Sequence, residues 1–211
     1  MSLFPLLIFC ELLNYNIYLG NFRVGSGSLK YEKNFEKIGA RYLSRATLVV
    51  KSEGVVNSFF PVYDSIVSIF YSDSFFTYSY ERSIREGSYK DKSKAVYSGD
   101  TVYYDDGSKF VTSGKTFDPI SLIFYLREKG NIDSTLLLDY HVDKRSFKIA
   151  IHPQRVNIKG KELIKIYLDL RDPQLSKTPG ELVYLFEADG DRKPLELQFK
   201  TGIGVLKARL K

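Results

Sequence analysis

Alternation of apolar and polar residues with a period of two recurs along almost the whole chain, and it constrains the fold more than any other feature. Clear examples are residues 64–71 and 161–170. Turn signals separate the short alternating stretches, as Asp106-Gly107 does between residues 101–105 and 108–113. No strand–helix–strand rhythm appears, so the pattern predicts an antiparallel meander rather than a parallel sheet.

A meander with this many strands is expected to curl, because curling removes exposed sheet edges. Aromatic residues support the sheet prediction: the chain has 16 Tyr and 15 Phe but no Trp, and residues 59–80 hold a dense run of them. No linker, repeat or change of composition divides the chain. We therefore predict a mainly β fold over residues 14–211, a single curved antiparallel sheet forming a barrel or half-barrel with one buried helix.

The helix is predicted at about residues 118–129, within FDPISLIFYLREKG. Asp118 can cap its N-terminus, and Pro119 suits the first helical position, where its missing N–H costs nothing. Arg127 and Lys129 suit the C-terminal end of the helix dipole, and Gly130 is a natural stop.

The apolar residues of this helix cover nearly its whole circumference, which is typical of a helix buried on all sides. In a β protein, the mouth or interior of a curved sheet is the place that offers such burial. The helix either closes the core or roofs an apolar cavity that admits a ligand. The apolar positions are Ile120, Leu122, Ile123, Phe124, Tyr125 and Leu126.

A ligand wall is predicted where this helix faces the aromatic strands. Arg127 would orient a polar head group at its edge. The predicted wall residues are Phe70, Phe76, Tyr78, Leu122, Phe124 and Leu126.

The charge pattern does not favour nucleic acid as a partner. The formal net charge is +6, but acidic and basic residues are interleaved throughout. The most basic stretch, residues 82–98, is interpreted as a solvated loop. The net charge is also compatible with a peripheral membrane association.

The sequence gives little indication of a catalytic site or of a metal or cofactor site. Asp139, His141 and Asp143 share one face of a strand, but the wet face of an amphipathic strand explains them better than a metal site. His152 precedes Pro153 and is read as a strand end. The sequence has no G-x-S-x-G motif, and no cofactor is predicted.

The first 13 residues form an apolar segment with one acid and no base. This segment is too short to span a bilayer as a helix. It is read as a truncated export signal, although the basic start of such a signal is missing, or as a buried first strand. Cys10 follows Phe9 rather than a small residue, which argues against lipidation at this cysteine.

Several motifs follow one another along the chain, namely Tyr15 to Gly25, Pro61 to Ser65, Asp118 to Ser121 with Phe124 to Arg127, Asp189 through Arg192 to Pro194, Gly204-Val205 and Leu210. Together they resemble the exported bacterial proteins grouped as domain of unknown function 3108. One departure is the pair Leu185-Phe186, where the family often has Trp. The resemblance implies export to the periplasm or outer envelope and a β-rich, barrel-like fold, and it implies no catalytic residue.

Three functions are compatible with these residues. The first is a non-enzymatic exported envelope protein that binds an apolar or amphipathic ligand, such as a lipid, in the concave face of the sheet. The second is a structural or interaction protein of the envelope that contacts a protein or glycan partner. The third, which the sequence supports least, is a hydrolase, whose paired carboxylates would be recognisable only in three dimensions.

Overall fold

A computed structural model describes residues 9–129, 134–170, 182–201 and 204–211, without the side chains of Leu170 and Thr201. Residues 1–8 of the apolar N-terminal segment, the proposed helix stop Gly130 and the break at 171–181 lie outside the described residues.

The described chain forms one sheet of 15 strands and two helices. The strands are β1 Phe9–Leu19, β2 Phe22–Ile38, β3 Arg41–Ser52, β4 Tyr63–Tyr71, β5 Thr77–Glu86, β6 Tyr89–Ser98, β7 Thr101–Tyr104, β8 Lys109–Val111, β9 Thr116–Phe117, β10 Leu136–Val142, β11 Arg145–Ile158, β12 Lys161–Leu170, β13 Leu182–Glu187, β14 Pro194–Thr201 and β15 Gly204–Leu210. The helices are α1 Gly54–Phe59 and α2 Pro119–Lys129.

The strand order is β8-β7-β6-β5-β4-β3-β2-β1-β15-β14-β13-β12-β11-β10-β9. The chain therefore makes two antiparallel meanders, which join where β1 pairs with β15. The prediction of a mainly β, curved, barrel-like sheet is confirmed. The sheet is not closed, because β8 and β9 stand at its two edges. One detail of the prediction is wrong: β9 pairs with β10 in parallel, since α2 separates them along the chain.

Helix α2 lies inside the curved sheet, as its apolar circumference predicts. Ile120, Leu122, Ile123, Phe124 and Leu126 are all buried in the main core cluster. The predicted start is also confirmed, because the Asp118 side chain caps the helix and Pro119 is its first residue. The sheet interior thus encloses a helix that is apolar around nearly its whole circumference, with Ser121 and Arg127 as its buried polar residues.

Two local predictions are corrected, and one short helix was missed. Residues 82–98 are not a solvated loop but most of the β5–β6 hairpin, whose turn is set by Gly87 with a φ of 59°. His152 does not end a strand, because β11 continues through Pro153, which lies opposite Ile166 of β12. Helix α1 was not predicted at all, since its six residues carry neither a capping residue nor a helical period.

The apolar N-terminal segment contributes to the sheet from Phe9 onward. Residues 9–13 form the start of β1 and pair with β2, with Leu13 opposite Leu29. Leu13 is buried in the core, whereas Phe9, Cys10 and Leu12 are exposed. The described part of this segment therefore has the alternation of a surface strand with one face on the core.

Candidate functional site

An apolar cavity of about 240 Å³ lies inside the curved sheet, beside the first turn of α2. Strands from both meanders and the helix wall it, so only the folded sheet brings the lining together. The lining comprises Tyr15, Ile17, Gly27, Leu29, Leu48, Val50, Ile66, Tyr80, Pro119, Ile120, Ile123, Tyr184, Leu197, Phe199, Leu206 and Ala208.

Small residues on both neighbours of β1 create this space. Gly27 of β2 lies opposite Tyr15, and Ala208 of β15 lies opposite Ile17. All four line the cavity. An inward-facing glycine and alanine on either side of one strand leave volume that larger side chains would fill.

The cavity has a buried floor and a half-exposed mouth. Tyr15, Leu29 and Ile123 on the floor are buried. The half-exposed lining residues Ile17 and Val50 each lie two residues from the end of their strand, on the side where α1 follows β3. We call this side of the sheet, which carries the turn at 20–21, α1 and the turn at 87–88, the α1 end. The cavity therefore opens at the α1 end.

Three tyrosines supply the ionisable groups of this lining. Burial raises the pKa of Tyr15, Tyr80 and Tyr184, so all three phenols stay neutral across the physiological range. The Tyr15 hydroxyl is already engaged, because it donates a hydrogen bond of 2.9 Å to the carbonyl of Pro194. The described lining is thus uncharged, which suits a hydrocarbon group rather than an ion.

Most of the predicted wall residues lie together in the buried core, but outside the lining of this cavity. Phe70 and Phe124 stack at 5.7 Å between ring centroids, and Phe124 also stacks on Tyr31 at 4.2 Å. Leu122 and Leu126 are buried in the same cluster.

Two predicted wall residues lie apart from that stack. Phe76 packs against the ring of Phe117, with 5.1 Å between centroids. Tyr78 is half-exposed and meets Tyr71 edge-on. The described lining of the cavity includes none of the seven residues predicted to bind a ligand.

The sequence did not predict which α2 residues line the cavity, because the helix is apolar on nearly every side. Pro119, Ile120 and Ile123 share the face toward the cavity, while Leu122 and Leu126 lie on another face. The pattern of the helix alone does not distinguish these faces. The signal that marks the cavity is the small size of inward-facing Gly27 and Ala208.

Arg127 is held at the end of the sheet opposite the α1 end. Its guanidinium makes a bidentate ion pair with Glu11 of β1, and its Nε donates a 2.7 Å hydrogen bond to the Asp191 carbonyl. Both side chains of the pair are about nine-tenths buried. Arg127 therefore anchors α2 to β1, and each of its three guanidinium nitrogens already donates to a protein acceptor.

A fully buried carboxylate, Asp118, fixes the other end of α2. Its Oδ1 accepts hydrogen bonds from the backbone N–H groups of Ile120 and Ser121, at 2.7 and 3.0 Å. Its Oδ2 accepts from the hydroxyls of Ser68 and Thr77, at 2.6 and 2.9 Å. Burial raises the pKa of Asp118 despite these four donors. The carboxylate is committed to positioning the first turn of the helix, which borders the cavity.

His141 lies in a second polar cluster, where the two edges of the sheet approach each other. The Ser146 hydroxyl donates its one proton to the Val111 carbonyl at 3.3 Å, so it accepts from His141 Nδ1 at 2.8 Å. In that tautomer His141 Nε2 accepts from the Tyr104 hydroxyl at 2.8 Å, and the same hydroxyl accepts from the backbone N–H of Lys144 at 2.9 Å.

This direction of donation bears on the hydrolase alternative. A base that activates serine must accept the serine proton, whereas Nδ1 of His141 donates to Ser146. Desolvation lowers the pKa of His141 to about 4, which keeps the ring neutral. The interpretation of His141 as part of a wet strand face is wrong, because its side chain is fully buried. The cluster links β7 and β8 to β10 and β11.

Comparison with known proteins places the fold in a family. Residues 14–211 match the family model described as protein of unknown function (DUF3108). The chain belongs to the DUF3108 family. The resemblance carried by the sequence motifs is thereby confirmed, and it covers the whole described domain from the middle of β1 onward.

A solved structure with the same fold extends this DUF3108 comparison. It is the crystal structure of a beta-barrel-like protein of domain of unknown function DUF1849 from Brucella abortus, with a TM-score of 0.60. The alignment covers 97% of this chain and 96% of that chain, at 10% sequence identity. At that identity the likeness concerns the fold alone. A comparison with curated proteins finds no match.

The described residues of this DUF3108 protein include no membrane-spanning helix and no cluster of metal ligands. Neither helix is long and apolar enough to cross a bilayer. Among the same residues, His, Cys, Asp and Glu side chains nowhere gather in a group of three or more that could hold a metal ion.

Proposed function

We propose that this protein is a non-enzymatic, exported envelope protein that binds the hydrocarbon chain of an amphipathic molecule, such as a lipid, in the apolar cavity. The observation that carries the proposal is the uncharged cavity of about 240 Å³ inside the curved sheet. An apolar cavity of about 150 Å³ in another protein stays dry and binds benzene, so the volume here is sufficient for a ligand.

The cavity volume limits what can enter. A methylene group occupies about as much space as a water molecule, roughly 30 Å³, so the cavity accommodates a straight chain of about eight carbons. A longer acyl chain would enter with its methyl end and leave the remainder and the head group at the mouth. The ligand is therefore expected to be amphipathic, with one end in the cavity and the other in solvent.

The position of Arg127 changes the role that the sequence predicted for it. Arg127 lies at the end of the sheet opposite the cavity mouth and is paired with Glu11. We propose that it supports the helix that forms the cavity floor, rather than contacting the head group of this ligand.

Binding is tested by filling the cavity at one inward-facing position. Ala208 points into the cavity, and Ala150 of β11 points outward because its neighbours Ile149 and Ile151 are fully buried. The variant Ala208→Phe is expected to fill much of the void, while Ala150→Phe makes the same chemical change outside it. Thermal unfolding of both variants verifies that each remains folded.

The assay is displacement of a fluorescent polyene fatty acid, cis-parinaric acid, by decanoate. The parent protein and Ala150→Phe are expected to bind the probe alike, and Ala208→Phe to bind it about tenfold more weakly or not at all. Equal binding by Ala208→Phe and Ala150→Phe would refute the cavity as the site. Absence of binding by the folded parent protein would refute the ligand class.

Export is the second part of the proposal, and it rests on the export that the resemblance of the sequence motifs implies. Expression of the full chain with its N-terminal segment, followed by osmotic-shock fractionation of the bacteria, tests it. Recovery in the shock fluid or the membrane fraction is expected, and recovery with the cytosolic marker would contradict it.

A further inference from the structure

The connection between β3 and β4 exposes large apolar side chains at the α1 end. Helix α1 has no buried residue, and Val55 and Phe59 are 74% and 85% exposed. Phe60 and Tyr63, which follow the helix, are more than half exposed. A six-residue helix that buries none of its apolar side chains gains little from packing on its own protein, so its exposed face requires another explanation.

This connection is nonetheless held in a defined position. The backbone N–H of Glu53 donates to the Val24 carbonyl at 3.0 Å, and the Gly87 N–H donates to the Pro61 carbonyl at 2.8 Å. The hydroxyl of Ser52 accepts a hydrogen bond of 2.8 Å from the Val62 N–H. These bonds fasten the connection to β2 and to the β5–β6 turn, so its apolar side chains are presented by a fixed backbone.

The neighbouring turns at the α1 end extend the apolar surface. Phe22, next to the β1–β2 turn, is 79% exposed, and Tyr89, next to the β5–β6 turn, is 58% exposed. We define the α1 tip as Phe22, Val55, Phe59, Phe60, Tyr63 and Tyr89. Alternate turns of an antiparallel meander lie at the same end of the sheet, so the tip surrounds one side of the cavity mouth.

Charged residues near the α1 tip give it a positive balance. Residues 19–23, 51–64, 85–90, 200 and 204–205 carry five cations and three carboxylates. Glu53 is compensated by an ion pair of 2.6 Å with Arg23, and Asp64 accepts a hydrogen bond from the Arg85 N–H. The cations are Arg23, Lys51, Arg85, Lys90 and Lys200, and the carboxylates are Glu53, Asp64 and Glu86.

We propose that the α1 tip docks on the surface of an anionic lipid bilayer, with Phe22 and Phe59 inserted at the level of the head groups. Exposed aromatic and aliphatic side chains flanked by cations are the combination that interfacial binding requires, because apolar insertion and attraction to anionic lipid act together. The proposal deepens the proposed function by placing the cavity mouth against the source of an acyl chain. It rests on different residues from the cavity itself.

The first test is flotation of the full chain with mixed phosphatidylethanolamine and phosphatidylglycerol vesicles. The double variant Phe22→Ser/Phe59→Ser is expected to lower vesicle binding by about tenfold or more. The matched control Ile38→Ser/Ile158→Ser removes two exposed apolar side chains beside turns at the opposite end, and is expected to change binding less than about twofold. Equal loss in both double variants, or no binding by the parent protein, would overturn the proposal and favour a protein partner.

The second test reports insertion directly. The chain has no Trp, so Phe59→Trp introduces a single tryptophan at the α1 tip, whose emission is excited apart from that of the tyrosines, and Ile158→Trp places one at the opposite end. Vesicles are expected to shift the Phe59→Trp emission to the blue, and brominated lipid to quench it, with neither effect for Ile158→Trp. Identical spectra for the two variants would refute insertion.

The cavity-filling variant separates the two proposals. Binding of an acyl chain in the cavity and docking of the α1 tip use different side chains. The variant Ala208→Phe is therefore expected to float with vesicles like the parent protein. Flotation without decanoate binding would refute only the cavity, and decanoate binding without flotation would refute only the docking surface.

Discussion

Removing the carboxylate of Asp118 provides the sharpest test of how the helix is held in the sheet. The variant Asp118→Ala leaves the backbone N–H groups of Ile120 and Ser121 without their acceptor, in a site with no exposed surface. It also removes the acceptor of the Ser68 and Thr77 hydroxyls. All four donors lie on or against the first turn of α2.

The magnitude follows from what each donor can do next. An unsatisfied buried donor costs about 1–3 kcal/mol, and loss of an N-cap residue typically costs about 1 kcal/mol. Thr77 can redirect its hydroxyl to Ser121, which lies 3.2 Å away, whereas the two backbone groups cannot rotate. Relief of the cost of burying a charge offsets part of the loss. We expect Asp118→Ala to lower the free energy of unfolding by about 4 kcal/mol.

The control is Asp118→Asn, which keeps an oxygen for the two backbone groups. Its side-chain amide would face the hydroxyls of Ser68 and Thr77, which can accept as well as donate. We expect this variant to cost about 1–2 kcal/mol. Urea unfolding followed by circular dichroism measures both values by linear extrapolation. A cost below about 1 kcal/mol for Asp118→Ala, or equal costs for the two variants, would refute this account of the helix terminus.

Three further predictions concern the remaining polar and backbone contacts. The pKa of His141 is lowered from 6.5 to about 4, so between these pH values the unfolded chain binds a proton that the folded chain does not. The free energy of unfolding should therefore fall by at most about 3 kcal/mol as the pH drops from 6.5 to 4. Urea unfolding of the parent protein and of His141→Gln checks this, and an equal pH dependence of the two would contradict it. Arg127→Met should cost about 3–5 kcal/mol by leaving Glu11 buried without a partner, and the pair Glu11→Leu/Arg127→Met should recover most of it, which a double-mutant cycle measures. Gly25→Ala should lower the free energy of unfolding by about 2 kcal/mol or more, because its Cβ would lie 2.3 Å from a carbonyl oxygen of β3. Gly27→Ala, whose nearest contact would be 3.4 Å, should change it by less than about 1 kcal/mol, and equal thermal shifts for the two alanines would contradict the close approach.

Local signals in the sequence were sufficient for helix α2 and for most strands. Asp118 and Pro119 act within one turn of the helix they start, so their effect is readable without knowing the fold. The same holds for the Asp106-Gly107 turn, where the left-handed conformation of Gly107 needs no tertiary contact. Strand alternation likewise reports one buried and one exposed face. These features together predicted a curved, mainly β domain with a buried helix.

Helix α1 and the burial of His141 were not predicted, for different physical reasons. The connection that carries helix α1 is fastened by hydrogen bonds of Glu53 to β2 and of Pro61 to the β5–β6 turn, neither of which is adjacent to it in the chain. His141 is covered because β7 reaches the β10–β11 hairpin as the sheet curls and Tyr104 meets it there. Both outcomes depend on how far the sheet curls.

By itself, the sequence determined the class of fold, the start of α2 and the family, because propensity, capping and turn geometry act over a few residues. Only the tertiary structure decided where space remains inside. Gly27 and Ala208 come from opposite ends of the chain and lie on the two strands that flank β1. Helix α2 turns Ile123 rather than Phe124 toward the cavity between them. Whether an interior is filled or hollow depends on the sum of side-chain volumes across non-adjacent strands, and no local pattern contains that sum.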